Sequence, residues 1–393
     1  MFDERVVPIE LQHKLINYYY NNLGKAINIG YSNNLEHFDT VLSENLHTNI
    51  LEFSAFKEAS FRNSLTELIT NNKNLPTWSE FKKKALETSK LYNVNWLNSE
   101  YHQTVATANM AGKWQSFQTT KELYPNLKYI TVGDKKVRDK HKKWDGFIAP
   151  ISHPIWKKLL PPNDWGCRCD IIPTDENPTD GYTNFIPKVK EEFANNPAIS
   201  GKVFTKSSYE TSLSKDLKKE AKTNISEYIR NSNNIIKSKH KKLNIELGSD
   251  NNDLKRNYEV AAALVNDLDI NILIKKHDNT IGVKNPEYLI NNKYLGDRKS
   301  IKGYDGIIWQ IDSSKKQMMH ISVNPNKLPY YIIWDLDLIE NLEIEKVIQN
   351  LKKKITKERG RNIKGMLFYY KNKVFELSRE EIVARDFTKI KNF

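Results

Sequence analysis

The sequence predicts an α+β protein of several domains, with a helical N-terminal region, a loop-rich middle domain and a C-terminal α/β domain built on a central mixed sheet. Three observations lead to this prediction. Apolar residues recur at helical spacing over much of 9–125. The segment 128–173 mixes Asp, Arg, His, Trp, Gly and Pro densely. After residue 257, helix and strand patterns alternate.

The 393 residues suit two or three domains of the usual size, about 100–200 residues each. We expect a helical N-terminal region at 1–90, a loop-rich domain at 91–176, a basic helical linker at 177–250 and an α/β domain at 251–393. Between 201 and 256 there are 13 Lys and Arg against 7 Asp and Glu, which is almost half of the chain's net charge of +13. Such charge favours an acidic partner, nucleic acid first, although a solvated charged helix explains it as well.

Composition excludes some classes of protein. Hydrophobic residues make up 39% of the chain, which is enough for packed cores and excludes a wholly disordered protein. No apolar run approaches the roughly 18 residues of a membrane-spanning helix, and the N-terminus lacks the apolar region of a signal peptide. Cys167 and Cys169 lie too close in sequence for an unstrained disulfide. We therefore expect a protein that folds in a reducing cytoplasm and has no membrane partner.

The N-terminal region is predicted to be helical because of its apolar stripes. Ile16, Tyr19 and Leu23 repeat at a spacing of three to four residues, as on one face of a helix. After a break in the pattern at Pro76, the pair Thr77 and Glu80 has the spacing of a capping box and predicts the start of another helix.

The middle domain is predicted from a short strand candidate at 127–132 and from the dense motif that follows it. In order, the motif contains Gly133-Asp134, Arg138, His141, Asp145-Gly146, Trp156, Pro161-Pro162, Trp165 and Cys167-Arg168-Cys169. This order and spacing resemble the signature of the Mu F-type minor head proteins of phages. The resemblance implies a head-morphogenesis domain, portal and capsid proteins as partners, and a place in the virion or in the cytoplasm of the bacterial host during assembly.

Cys167, Cys169 and His141 also form a set of zinc-ligand types, and His153 is a candidate for a fourth ligand. Two thiolates and an imidazole suit Zn²⁺, although Cys-x-Cys is a less usual spacing than Cys-x-x-Cys. A Cys–His protease is less favoured, because nothing in the sequence orients the histidine.

The other interpretation of this motif is a loop-rich fold that is held together by packing alone. In that case Arg138 pairs with Asp134 or with Asp145, and the tryptophans cover the core. The sequence leaves the zinc site and this structural interpretation both open.

The C-terminal domain is predicted from a succession of helix and strand patterns. They are a helix at 257–268, a strand at 270–276, a hairpin at 286–300 with Asn291-Asn292 as its turn, a helix, an apolar strand at 318–324, an acidic helix at 342–355, and strands at 365–370 and 373–377.

The hairpin places acidic and basic residues where a metal-dependent nuclease needs them. Asp297 and Lys299 are two apart in a strand and share a face, while Glu287 begins the partner strand. Two carboxylates can hold Mg²⁺ or another divalent ion against a phosphate, and a lysine can position water and stabilise the developing charge. Glu259, on the preceding helix, is a candidate for a third carboxylate. The nucleic acid can be DNA or tRNA.

This pattern resembles the PD-(D/E)xK toxin nucleases at the C-termini of contact-dependent inhibition proteins. The matching segments are Glu259–Ala263, Asn285–Lys293, Asp297–Lys299, Lys316-Gln317 and Ile321–Asn324. The resemblance implies a toxin-like role, with an immunity protein as a further partner. Glu287 stands where that family usually has Asp, and Gly296 lies just before the second acid. Both departures make the affinity of the site for its metal differ from that of the family.

Two other functions remain open. The chain can be a purely structural head protein whose C-terminal domain binds nucleic acid or protein. It can also be a metal-free ribonuclease of the barnase- and colicin-like group, which is sometimes fused to Mu F-type domains. In that case His277 or His320, with Lys299 and Arg298, would act as acid and base on an RNA 2′-hydroxyl.

Overall fold

The computed structural model describes residues 7–70, 76–278, 280, 283–319, 329–356 and 360–392. The chain forms two compact units, Met1–Tyr228 and Ile229–Phe393. The first is mainly helical and the second is built on a mixed sheet. The predicted α+β class is therefore confirmed.

The helices of the first unit are α1 (Ile9–Gly30), α2 (Thr40–Thr70), α3 (Trp78–Lys90), α4 (Leu97–Thr119), α5 (Asp139–Lys142), α6 (Pro197–Ser200), α7 (Ser208–Ser212) and α8 (Lys215–Asn231), the last of which runs across the boundary between the units. A π-helical segment, Leu91–Trp96, joins α3 to α4. The capping box at Thr77 and Glu80 is present and begins α3 as predicted.

Helix α1 is amphipathic, and its apolar face packs against α2 and α4. Ile16, Tyr19 and Leu23 are fully buried on this face. Gly30, at the end of the helix, lies so close to α4 that a Cβ there would overlap the carbonyl oxygen of Val105. The absence of a side chain at Gly30 therefore permits the close helix crossing.

The middle segment contains a three-stranded antiparallel sheet. Its strands are β1 (Asn126–Ile130), β2 (Ile148–Pro150) and β3 (Asp170–Thr174), in the order β2-β1-β3. Tyr129, Trp144 and Trp156 lie in the hydrophobic core beneath it. Long loops connect these short strands, as the composition of the segment predicts.

The segment 177–250, predicted as one helical linker, is divided between the two units. Within the first unit, the side chain of Asn49 in α2 accepts hydrogen bonds from the backbone N–H groups of Val203 and Phe204 and donates one to the carbonyl of Phe204. The residues after α8 form β4 (Ile235–Lys237) and β5 (Leu243–Glu246) of the second unit. Strands of three and four residues carry too little periodicity to be recognised beside a basic helix.

The second unit contains an eight-stranded mixed sheet in the order β11-β10-β9-β8-β7-β6-β5-β4. Its other strands are β6 (Ile272–Ile274), β7 (Tyr288–Ile290), β8 (Tyr294–Ser300), β9 (Tyr330–Asp335), β10 (Ile363–Tyr370) and β11 (Lys373–Ser378). Its helices are α9 (Leu254–Leu268), α10 (Gly306–Met319), α11 (Ile344–Lys354) and α12 (Arg379–Ala384). Parallel pairs join β5 to β6, β8 to β9 and β9 to β10, and the other pairs are antiparallel.

Most elements predicted for this unit are present, including the hairpin of β7 and β8, whose turn residues Asn291 and Asn292 both have positive φ. Helix α10 extends through Met319 and so occupies the first residues of the strand predicted at 318–324. The rest of that predicted strand, with His320, lies outside the described residues. The prediction did not include β9, although all of its residues are buried.

The sheet separates two groups of helices. Tyr288 in β7 donates its hydroxyl hydrogen to the carbonyl of Asn257 in α9, so α9 covers the face to which Tyr288 points. On the opposite face, α10 and α11 pack against Ile332 and Trp334 of β9 in one hydrophobic core. Side chains on one face of β8 therefore contact α9, and those on the other face lie on the side of α10 and α11.

Candidate functional site

The predicted acidic and basic residues of the hairpin meet on the α10 face of the sheet. Asp297, on β8, is fully buried. Its Oδ2 atom lies 2.8 Å from Nζ of Lys299 and accepts a hydrogen bond of 2.6 Å from Oγ of Ser314 in α10. Its Oδ1 atom is buried and has no hydrogen-bond partner among the described residues. This side of the Asp297 carboxylate is therefore open to a proton shared with Glu287 or to a cation.

Glu287 lies directly before β7, and the antiparallel register places it beside Asp297, because the next residues, Tyr288 and Gly296, are paired. Its Oε2 atom accepts a hydrogen bond of 2.8 Å from the backbone N–H of Arg298. Burial, and then the charge of Asp297, raise the pKa of Glu287 to about 8. The side chains of Glu287 and Lys299 are only partly buried, so the cluster reaches the surface.

We call Glu287, Asp297 and Lys299 the hairpin cluster. Two neighbouring carboxylates repel each other unless a proton or a cation lies between them. Carboxylate oxygens are the ligands that Mg²⁺ and Ca²⁺ prefer. The buried Oδ1 of Asp297 and the carboxylate of Glu287 therefore fit a divalent cation, with Lys299 beside it.

Glu259 does not join this cluster, and the prediction for it is corrected. It lies on α9, on the other side of the sheet from Asp297 and Lys299. Its carboxylate pairs at 3.3 Å with Arg256 of the same helix. Helical periodicity in the sequence places Glu259 on a helix, but it does not reveal which face of the sheet that helix covers.

Arg298 points away from the hairpin cluster, since successive side chains of a strand alternate between faces. It is buried, bonds Asn257 of α9 at 2.6 Å and forms an ion pair of 2.9 Å with the buried Asp335. His277 lies elsewhere, within 4.0 Å of Asp250 and 3.3 Å of the side chain of Asn285. Among the described residues, Arg298 and His277 are therefore not assembled with Lys299.

Ser314 is a member of the site that the sequence did not predict. Its hydroxyl hydrogen bond to Asp297 connects α10 to β8 and fixes the carboxylate. No short motif contains both residues, because they are 17 positions apart. A serine in a predicted helix is ordinarily a surface residue, so only the packing of α10 on the sheet reveals its role.

A second cluster lies in the first unit and contains His141, Cys167 and Cys169. Nδ1 of His141 lies 3.6 Å from Sγ of Cys167 and 3.4 Å from Sγ of Cys169. His141 is buried in α5, and both cysteines are partly buried just before β3. The ligand atoms of the three residues all lie within 4.8 Å of one another.

The two thiols of this cluster interact directly. A hydrogen bond from Cys169, and another from His141, lower the pKa of Cys167 to about 4. The thiolate of Cys167 and burial in turn raise the pKa of Cys169. The structure thus favours a thiolate at one of the two positions, and a thiolate is the form that binds metals.

The neighbouring charged residues pair differently from the predicted structural arrangement. Asp134 forms two hydrogen bonds of 2.7 Å with Arg168. Arg138 lies 3.7 Å from the carboxylate of Asp164. Asp145 accepts a hydrogen bond of 2.6 Å from the backbone N–H of Thr131. Arg138 therefore pairs with neither Asp134 nor Asp145, because the loop that follows Pro162 brings Asp164 to it.

His153 is not part of the cluster. Its Nδ1 atom accepts a hydrogen bond of 3.3 Å from the backbone N–H of Ile155 and so caps a short 3₁₀ helix. The metal-ligand types brought together in the described part of the chain are His141, Cys167 and Cys169. The sequence thus predicted three members of this cluster, and the candidate fourth has another role.

Residues 60–172 match the family model of the Phage Mu protein F like proteins. This range includes β1, β2, the first three residues of β3 and all three residues of the His–Cys cluster, so this part of the chain is a Mu F-like domain. It begins inside α2, earlier than the predicted boundary at residue 91. The α-helices before the motif thus belong to the domain.

Two relatives align with this part of the chain. The Mu-like prophage FluMu F protein of Haemophilus influenzae is 29% identical over 99 residues, which are 25% of this chain and 24% of the relative. The putative capsid assembly protein F of Escherichia phage Mu is 31% identical over 71 residues, or 18% of this chain and 16% of the relative. The alignments cover about a quarter or less of each relative.

No solved structure matches the chain. Among the described residues, no helix has the length and apolar composition needed to cross a membrane.

Proposed function

We propose that the chain is a phage or prophage head-assembly protein of the Mu F type that carries a metal-dependent nuclease in its C-terminal unit. The head-assembly role is supported by the Mu F-like domain at 60–172 and by the name of its relative in phage Mu, a putative capsid assembly protein. Its partners in this role are portal and capsid proteins, and it is present in the virion or in the host cytoplasm.

The head-assembly role predicts that the chain is found in particles. Particles from producing cells would be purified and examined by mass spectrometry, and the yield of DNA-filled heads would be compared with that of a deletion of residues 60–172. We expect the chain in the particles and fewer filled heads in the deletion. Particles that lack the chain, together with a normal yield from the deletion, would refute the role.

The nuclease role rests on one observation, the hairpin cluster with its buried, unpartnered Oδ1 atom of Asp297. Ordinary hairpin charges are solvated, whereas Asp297 is fully buried and is held by Lys299 and Ser314. Burying a carboxylate next to a second one lowers stability, and such arrangements are typical of functional sites. Asp297 and Lys299 are also the residues of the motif that resembles the PD-(D/E)xK nucleases.

Asp297 and Glu287 would hold the cation in this mechanism. A bound Mg²⁺ or Mn²⁺ ion supplies Lewis-acid stabilisation of charge on a phosphate. Lys299, whose Nζ atom lies 2.8 Å from Asp297, would orient the attacking water or neutralise the phosphate oxygen. Ser314 holds Oδ2 of Asp297, so that Oδ1 would stay available to a cation.

Glu287→Gln and Glu259→Gln form a matched pair of variants for the nuclease role, because each replaces a carboxyl group by an amide of the same shape and only Glu287 lies in the hairpin cluster. The full chain would be incubated with supercoiled plasmid and, separately, with total tRNA, with Mg²⁺ or Mn²⁺ and then with EDTA. We expect cleavage of one substrate that needs the metal, is lost in Glu287→Gln and persists in Glu259→Gln.

Other outcomes of this assay identify the alternatives. Cleavage of tRNA that survives EDTA would indicate the metal-free ribonuclease. Salt-sensitive binding without cleavage would indicate a nucleic-acid-binding head protein. The separation of Arg298 from Lys299 on the two faces of β8 is the observation that favours the metal-dependent mechanism over the metal-free one.

A further inference from the structure

We propose that His141, Cys167 and Cys169 bind one Zn²⁺ ion in the Mu F-like domain, through Nδ1 of the histidine and the two sulfur atoms. This site is separate from the nuclease proposal, since it lies in the first unit and uses different residues.

The distances between the ligand atoms match a zinc site. Zinc lies about 2.0–2.1 Å from a histidine nitrogen and about 2.3 Å from a cysteine sulfur, with tetrahedral angles. A nitrogen and a sulfur bound to one such ion are therefore about 3.6 Å apart. In the structure, Nδ1 of His141 lies 3.6 Å from one sulfur and 3.4 Å from the other. The three side chains need little movement to accept the ion.

The local chain holds these atoms in position. Cys167 and Cys169 are two residues apart in the segment that leads into β3, and the sulfur atoms of both lie next to Nδ1 of His141. Arg168, between them, points away and is held by Asp134. The ring of His141 stacks on that of Trp144, with ring centroids 4.9 Å apart. The arrangement is thus fixed by contacts outside the ligands themselves.

The charge of the cluster is also balanced by zinc. When zinc displaces the remaining thiol proton, two thiolates and a neutral imidazole carry a charge of −2, which Zn²⁺ cancels at a site where His141 is buried and both cysteines are partly buried. Three protein ligands leave the fourth position to water. The ion would connect α5 to the beginning of β3, in a domain whose strands are short and whose loops are long.

The experiment uses the full chain, purified from zinc-supplemented cells, with elemental analysis and Co²⁺ substitution. Cobalt bound to thiolates gives a sulfur-to-metal charge-transfer absorption that carboxylate sites do not give. We expect about one zinc per chain and the cobalt–thiolate band. Cys169→Ser should lose the band and most of the zinc. His153→Gln should keep both, because His153 caps a 3₁₀ helix instead.

Glu287→Gln separates this proposal from the nuclease proposal. That variant should keep the cobalt–thiolate band, whether or not the chain cleaves nucleic acid. Folded wild-type chain that has been stripped of zinc by a chelator and gives no band on titration with Co²⁺ would overturn the zinc site. A band that persists in folded Cys169→Ser would also overturn it. If Cys169→Ser does not fold, the wild-type titration, reversed by a chelator, decides the question.

Discussion

Arg298 and Lys299 are neighbours in β8, yet their side chains lie on opposite faces and should respond differently to the same substitution. Arg298→Met leaves the buried Asp335 short of one of its cationic partners, which should lower the free energy of unfolding by about 3 kcal/mol. Lys299→Met should lower the proposed cleavage rate about 100-fold or more, because Lys299 lies beside Asp297, the residue that would hold the cation. Urea unfolding and initial cleavage rates measure the two effects.

Arg298→Met should change mainly the free energy of unfolding, and Lys299→Met should change mainly the cleavage rate. The folded fraction of Arg298→Met should still cleave with metal, and Lys299→Met should still bind the metal, since it removes a competitor for Asp297. If Arg298→Met abolished the activity of folded protein while Lys299→Met left it unchanged, the assignment of the two faces would be wrong.

His47 should make the first unit sensitive to acid. It is buried in α2, and burial lowers its pKa to about 4, while its Nδ1 atom donates a hydrogen bond to the carbonyl of Ser43. Since the folded pKa lies below the ordinary value of 6.5, this stability is complete above pH 6.5 and is lost as pH falls towards 4.

The loss through His47 should amount to about 3 kcal/mol, since each pKa unit corresponds to about 1.4 kcal/mol. Denaturant unfolding of wild type and His47→Gln at pH 7 and pH 4 would measure it. His47→Gln should lose less stability between these values than wild type does, whereas His37→Gln, at a histidine that is only partly buried, should behave as wild type. Equal acid losses in His47→Gln and wild type would contradict the prediction.

At the scale of elements, the β7–β8 turn depends on two residues with positive φ, Asn291 at 49° and Asn292 at 54°. This conformation suits Asn and Gly but not β-branched residues. Asn292→Gly should leave the free energy of unfolding unchanged or raise it slightly, and Asn292→Val should lower it by about 1–2 kcal/mol. Urea unfolding measures both changes, and a Val variant as stable as the Gly variant would show that this turn does not constrain the hairpin.

The contact between α2 and the segment after α6 depends on Asn49. Its side chain satisfies the backbone groups of Val203 and Phe204, and the site is buried. Asn49→Leu leaves those groups unpaired and should lower the free energy of unfolding by about 2–3 kcal/mol. Asn63→Leu, on the exposed side of the same helix, is the control. Equal stability of the two variants would contradict this role.

Local signals explain which elements the sequence predicted. Helices α1, α3 and α9 have apolar periodicity or a capping box, and the hairpin has its Asn-Asn turn. By contrast, β4 and β5 are short, and β9 is a continuous apolar run without alternation. Such a run does not distinguish a buried strand from a buried helix.

The same limit applies to the candidate sites. Asp297 and Lys299 share a face because of strand periodicity, which is local, so the sequence could place them together. Glu259 and Ser314 depend on which helix covers which face of the sheet, and this is decided by tertiary packing. The partner of Arg138 depends on a long loop, and neither spacing nor periodicity predicts Asp164 there.

At the scale of the whole molecule, the chain combines two units, each with its own candidate site. The Mu F-like domain contains the His–Cys cluster, and the C-terminal unit contains the hairpin cluster. The 13 basic residues between 201 and 256 are divided between the two units. The excess of positive charge in this segment is therefore not concentrated in one linker. The proposals for the two units can therefore be tested independently in the full chain.

The most direct test of the nuclease claim is the metal-dependent cleavage rate of the full chain compared with that of Asp297→Asn. This substitution preserves the shape of the side chain and removes the charge that would bind the cation. We predict that wild type cleaves plasmid DNA or tRNA with Mg²⁺ or Mn²⁺, and that Asp297→Asn is slower by about 100-fold or more. Equal rates for the two proteins, or no cleavage by wild type, would contradict the account.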